Sequence, residues 1–142
     1  MSASPTPARG SVYGFVLIAA IVTLTLATAY IHSTLGGILF TLNAVGYVAL
    51  AAAVIVAAVV TVPLVIRFGW LPRVALFAFA LATIVGWVVM GPRYDIAYLA
   101  KAIEVALLAL LVIDMFRVYG GPGAMLVEAR ASVEELIGSV RR

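Results

Sequence analysis

Four apolar runs, each close to the length a helix needs to cross a bilayer, follow one another through this chain and leave little sequence for anything else. An α-helix rises about 1.5 Å per residue, so roughly 20 apolar residues span a hydrocarbon core about 30 Å thick. The runs cover residues 12–31, 38–62, 74–90 and 96–118. Hydrocarbon offers no water to backbone N–H and C=O groups, so each run must satisfy them internally, as a helix does. The sequence therefore predicts an all-α fold: an integral membrane bundle of four antiparallel transmembrane helices over residues 12–119, plus a C-terminal amphipathic helix over 124–142. Composition excludes the soluble alternative. With 65% hydrophobic and 11% charged residues and a mean hydropathy of +1.22, there is too little polar surface to cover a water-facing outside.

Breaker residues set the expected boundaries. Residues 1–11 are small, polar and Pro-containing and bury nothing, which predicts a disordered cytoplasmic lead. Arg9, the first run and Ala27-Thr28-Ala29 also resemble a cleavable signal peptide, although such apolar regions usually run only about 7–15 residues. His32 to Gly37 reads as a turn, with Ser33 or Thr34 capping the next helix. Pro63 should stop the second run, and Arg67, Trp70, Pro72 and Arg73 should lie in the following loop. Gly91-Pro92 and Gly120-Gly121-Pro122-Gly123 end the third and fourth runs. In the tail, Ala129, Val133, Leu136 and Val140 recur at the spacing of one helical stripe.

The basic residues carry topology. Arg9, Arg67, Arg73 and Arg117 fall at one side of the bundle, against Arg93 and Lys101 at the other, so both termini are expected in the cytoplasm of a cell-membrane protein. Nine basic residues spread singly between apolar runs do not form the patch that nucleic acid requires. The absence of cysteine removes thiolate ligands, and one histidine cannot supply the sets usual at catalytic metals. No metal or cofactor is therefore expected, and His32 reads as a turn residue.

Charges within a membrane helix are costly, so Lys101 and Glu104 stand out. They lie three apart on one face, below the end of the fourth run that carries Arg93, where Asn43 and Tyr47 of the second run have comparable depth. The group reads either as an internal ion pair or as a ligand or ion site. Depth alone ranks Glu104→Leu as more disruptive than Lys101→Leu, since lysine can extend to the headgroups. A second candidate ligand site, His32, Arg93, Asp95 and Tyr98, should gather at the outer face, with Asp95 capping the fourth helix and pairing with Arg93. Asp114 and Arg117 read as a simple pair near the opposite headgroups.

No nucleophile elbow, phosphate loop, HExxH or dinucleotide fingerprint is present, and no catalytic set is recognisable. The expectation is a small non-catalytic multi-pass protein, an accessory or scaffolding subunit bound to a membrane-protein partner or to copies of itself. The alternative is a small transporter, channel or ligand-binding membrane protein using the outer polar cluster. A lipid or quinone site needs only one His, Tyr or carboxylate, and nothing in the sequence selects it.

Overall fold

The computed structural model describes residues 11–140 and is all-α. Its helices are α1 (Val12–Thr34), α2 (Ile38–Val59), α3 (Pro63–Arg67), α4 (Trp70–Met90), α5 (Asp95–Tyr119) and α6 (Pro122–Val140). The four long apolar ones have 23, 22, 21 and 25 residues, each enough to cross a membrane. They form an antiparallel up-and-down bundle in which α1 packs on α2 and α5, and α4 closes the ring against α5 and α2. One pair of connections, at Leu35–Gly37 and Gly91–Tyr94, shares the end that carries Arg93. The opposite end carries Arg67 and Arg73.

The inside and outside have the polarity expected in lipid. Ile21, Tyr47, Leu76, Ala80, Leu107 and Leu111 are fully enclosed, together with Thr25, Thr28, Glu104 and Asp114. Large apolar side chains such as Phe15, Val59, Val89 and Met90 point outward. Water would penalise that outer surface; acyl chains do not.

Several boundaries differ from the sequence expectation. The first helix runs through His32 to Thr34 instead of ending at Ile31. Ser33 and Thr34 do not cap α2: their hydroxyls donate to the carbonyls of Tyr30 and Ile31, both at 2.7 Å, within their own helix. The turn itself is made by Gly36 and Gly37, at φ 69° and 91°, a region that favours glycine. The second run breaks at Val60–Val62, short of Pro63, which opens α3 in place of a loop. Proline suits a first helical turn because its missing N–H would have no acceptor there. The same reason admits Pro72 to the first turn of α4, so Trp70 and Arg73 belong to a helix and not to a loop.

The tail is a helix, as its periodicity predicts, but its packed face is displaced. Met125, Ala129 and Ser132 are buried against the bundle, whereas Val133 and Leu136 are exposed and the side chain of Val140 lies outside the described residues. The Ser132 hydroxyl bonds the Glu128 carbonyl at 2.8 Å and reaches the Arg67 carbonyl at 3.3 Å, and Arg67 pairs with Glu135. These contacts hold α6 across the end of the bundle. At the start of α1, the Ser11 side chain caps by accepting from the Gly14 N–H at 3.0 Å. The rest of the expected lead and the terminal arginines lie outside the described residues.

Candidate functional site

The buried stripe of α5 carries polar groups at two depths. Ala97, Ala100, Lys101, Glu104, Leu107, Leu111, Asp114 and Met115 lie on a single helix face, at three- and four-residue steps apart from the adjacent pairs Ala100–Lys101 and Asp114–Met115. Glu104 and Asp114, both 0% exposed, sit ten residues apart, about 15 Å along the axis.

Glu104 is held from three helices. Thr28 of α1 donates to Oε1 at 3.1 Å, Thr83 of α4 donates to Oε2 at 2.9 Å, and Lys101 reaches Oε2 at 2.6 Å. His32 Nε2 stands 3.8 Å from Oε1. The other ring nitrogen, Nδ1, lies 2.8 Å from the Thr28 carbonyl, which can only accept, so Nδ1 carries a proton. His32 is thus a buried member of the network, 3% exposed, and not the turn residue expected from its polar neighbours. Tyr47 joins one step out: its hydroxyl meets that of Thr83 at 2.9 Å. Its ring packs edge-on against Phe79 at 4.8 Å.

Lys101, 9% exposed, stands at the border of this network and a cavity. Between α2 and α4, toward the Arg93 end, the helices border a half-open cavity of about 400 Å³. Phe40, Phe79, Trp87 and Tyr94 contribute rings to its walls, Met90 and Leu39 lie at its rim, and His32, Asn43, Thr83 and Lys101 supply its polar groups. Asn43 therefore lines the cavity and makes no hydrogen bond to Glu104 among the described residues. Gly86 lines it too, and a Cβ built there would meet nothing within 4 Å.

The outer-face group does not assemble as expected. His32 is turned into the network. Asp95 is exposed in the first turn of α5, Tyr94 occupies the N-cap position, and no side chain caps the helix. Arg93 does not pair with Asp95. Its guanidinium lies 4.2 Å from the Trp87 ring centroid and donates to the Val88 carbonyl at 2.8 Å. Tyr98 meets the same indole edge-on at 5.1 Å. Arg93, Trp87 and Tyr98 thus form an aromatic–cation stack beside the cavity.

Comparison with protein-family models, curated proteins and solved structures finds no match. Function must therefore be argued from the geometry.

At the other end, Asp114 receives Arg73 Nε at 2.6 Å on one oxygen and Arg117 Nε and Nη2 at 3.0 and 2.7 Å on the other. Arg73 also donates to the Gly69 carbonyl at 2.6 Å. The simple Asp114–Arg117 pair is thus part of a three-residue cluster spanning two helices. Among the described residues no three His, Asp or Glu side chains converge as metal ligands would.

The sequence signals missed here are Thr28, Thr83 and Arg73. Thr25, Thr28 and His32 share the α1 face that also carries Leu17 and Ile21. Polar side chains recurring on the most buried face of an apolar helix were the available clue.

Proposed function

We propose that this small multi-pass membrane protein binds an amphipathic small molecule in the cavity between α2 and α4. The observation that carries the reading is the coincidence of the cavity with the buried network. A fully enclosed carboxylate held from three helices is costly, and apolar replacement of such a group often costs nothing or stabilises. Ionisable groups kept inside a membrane bundle default to function, particularly where they border a space that something can enter. At about 400 Å³ the space lies within the usual size of small-molecule sites, and its apolar lining with a few convergent polar groups is their usual chemistry. The accessory-subunit alternative draws on the exposed apolar residues of α6, Leu126, Val127 and Ile137, which a headgroup layer covers equally well. The excess of arginine at the α6 end favours placing that end in the cytoplasm.

The test is mass spectrometry of small molecules retained by the purified protein, compared with Gly86→Leu, whose side chain fills the cavity. A species stoichiometric with the wild type and lost from the variant supports binding. Equal retention by both, or none by either, overturns it.

A further inference from the structure

We infer that the occupant is a neutral, flat-ringed carbonyl compound resident in the bilayer, of the quinone class; this rests on the ligand-binding reading and concerns binding alone. Three features of the cavity select that chemistry. The first is its walls. Phe40, Phe79 and Trp87 present rings from α2 and α4, and aromatic faces and edges pack best against another flat ring, whereas an acyl chain needs no such lining.

The second is unspent hydrogen-bonding capacity. The Lys101 ammonium has three N–H bonds: one goes to Glu104 at 2.6 Å and another makes a long contact of 3.4 Å to the Thr83 carbonyl. The third has no acceptor among the described residues, and the ammonium borders the cavity. The Asn43 amide lines the same space, and no described residue bonds it. Two donors in one apolar chamber call for a ligand with acceptor oxygens on a compact frame.

The third is charge. Glu104 already neutralises Lys101, and Arg93, stacked on Trp87 and turned to the Val88 carbonyl, is not among the lining residues, so no unpaired charge lines the cavity to hold an ionic head. Neutral acceptors remain. Leu39 and Met90 are exposed apolar residues of the lining at the Arg93 end of α2 and α4, which gives a bilayer-dissolved molecule an apolar way in.

The experiment uses the full chain in detergent carrying Trp70→Phe. This leaves Trp87, on the cavity wall, as the sole indole of the two in the sequence. Titration with a decyl-substituted benzoquinone should quench Trp87 saturably at one site, since quinones are efficient quenchers of indole emission. Gly86→Leu and, independently, Ala82→Leu should remove the saturable component, with folding checked by circular dichroism. Decylbenzene, which has the ring and the tail without the carbonyls, should compete at least about tenfold less well than the quinone binds, because a hydrogen bond from a charged donor is worth that much. The neutral double variant Lys101→Met/Glu104→Gln should weaken quinone binding by a similar factor. If decylbenzene and decanol compete as well as the quinone, and Gly86→Leu blocks all three, the cavity is a binding site but the carbonyl inference is overturned. Quenching that Gly86→Leu and Ala82→Leu leave unchanged is micellar and overturns both.

Discussion

Replacing Lys101 by leucine should destabilise the bundle more than replacing Glu104, the reverse of what depth alone predicts. With Lys101 gone, the Glu104 carboxylate stays fully enclosed with two hydroxyl donors and a histidine nitrogen at 3.8 Å. Breaking a buried pair from one side in this way costs about 3–5 kcal/mol. With Glu104 gone, two of its partners have alternatives. Thr83 turns its one proton to the Ala80 carbonyl, 2.8 Å away, and keeps its contact with Tyr47, and Lys101 has the cavity beside it. The loss is then two hydroxyl bonds to a carboxylate, of which that of Thr83 is replaced, about 1.5–3 kcal/mol. Removing both charges together should be close to neutral, or stabilising by about 1–4 kcal/mol, because the desolvation cost of both disappears. The assay is reversible unfolding in mixed micelles by SDS titration, run as a double-mutant cycle. The expected gap between the single variants is about 2 kcal/mol, roughly thirtyfold in the unfolding equilibrium. A Glu104→Leu variant as unstable as Lys101→Leu, or a double variant less stable than both, would refute the argument.

The same unfolding assay checks three further outcomes. Gly46→Ala places a Cβ 2.6 Å from Cζ of Phe79, so that ring must move and the cost should be about 1–3 kcal/mol. Gly86→Ala meets only open cavity and should gain up to about 1 kcal/mol from helix propensity; equal effects at the two glycines would show that the α2–α4 spacing is wrong. Arg73→Leu leaves Asp114 with Arg117 but removes the bonds to Asp114 and to the Gly69 carbonyl, and should cost at least about 1.5–3 kcal/mol, the worth of one charged hydrogen bond at a buried site, whereas a change below about 0.5 kcal/mol would mean that Asp114 is satisfied by Arg117 alone. Tyr47→Phe removes the hydroxyl that meets Thr83 at 2.9 Å and should cost about 0.5–1.5 kcal/mol; a larger loss would assign Tyr47 a direct bond to Glu104.

The four spans were legible in the sequence because hydrocarbon imposes helix on any apolar run of that length, with no tertiary information required. Their ends were less legible, because the same residue types stop a helix or continue it according to where their polar atoms go. The polar group at His32, Ser33 and Thr34 resembles a turn, yet two of its hydroxyls bond carbonyls one turn back and the helix carries on. Pro63 resembles a stop and Pro72 a loop residue, yet Pro63 opens α3 and Pro72 lies in the first turn of α4. The Lys101–Glu104 pair was legible because both partners lie on one helix at fixed spacing. Thr28, Thr83 and the inward side of His32 were not, because their role exists only once α1, α4 and α5 are assembled. The cavity was not legible either: it is a gap between surfaces, and its aromatic walls come from residues that in sequence look like ordinary core.

Two side-chain contacts between α4 and α5 also bear on why so apolar a bundle retains buried charge. Arg73 meets Asp114, and ten residues further along α4 Thr83 meets Glu104, ten residues back along α5. Between them Leu76 and Ala80 on α4, and Leu111 and Leu107 on α5, fall at equal intermediate steps, and all four are fully buried. Both polar contacts therefore belong to one antiparallel register. Apolar packing in lipid gains little from one register over another, since neighbouring acyl chains are as apolar as the helices. A slip of one turn, about 5.4 Å, would part both contacts at once and leave two enclosed carboxylates short of partners. On this argument the charges contribute less to the depth of the native state than to its separation from slipped alternatives, the best-attested use of buried polar groups. A cavity walled jointly by α2 and α4, with its donor lysine on α5, keeps its shape only if α4 cannot slide.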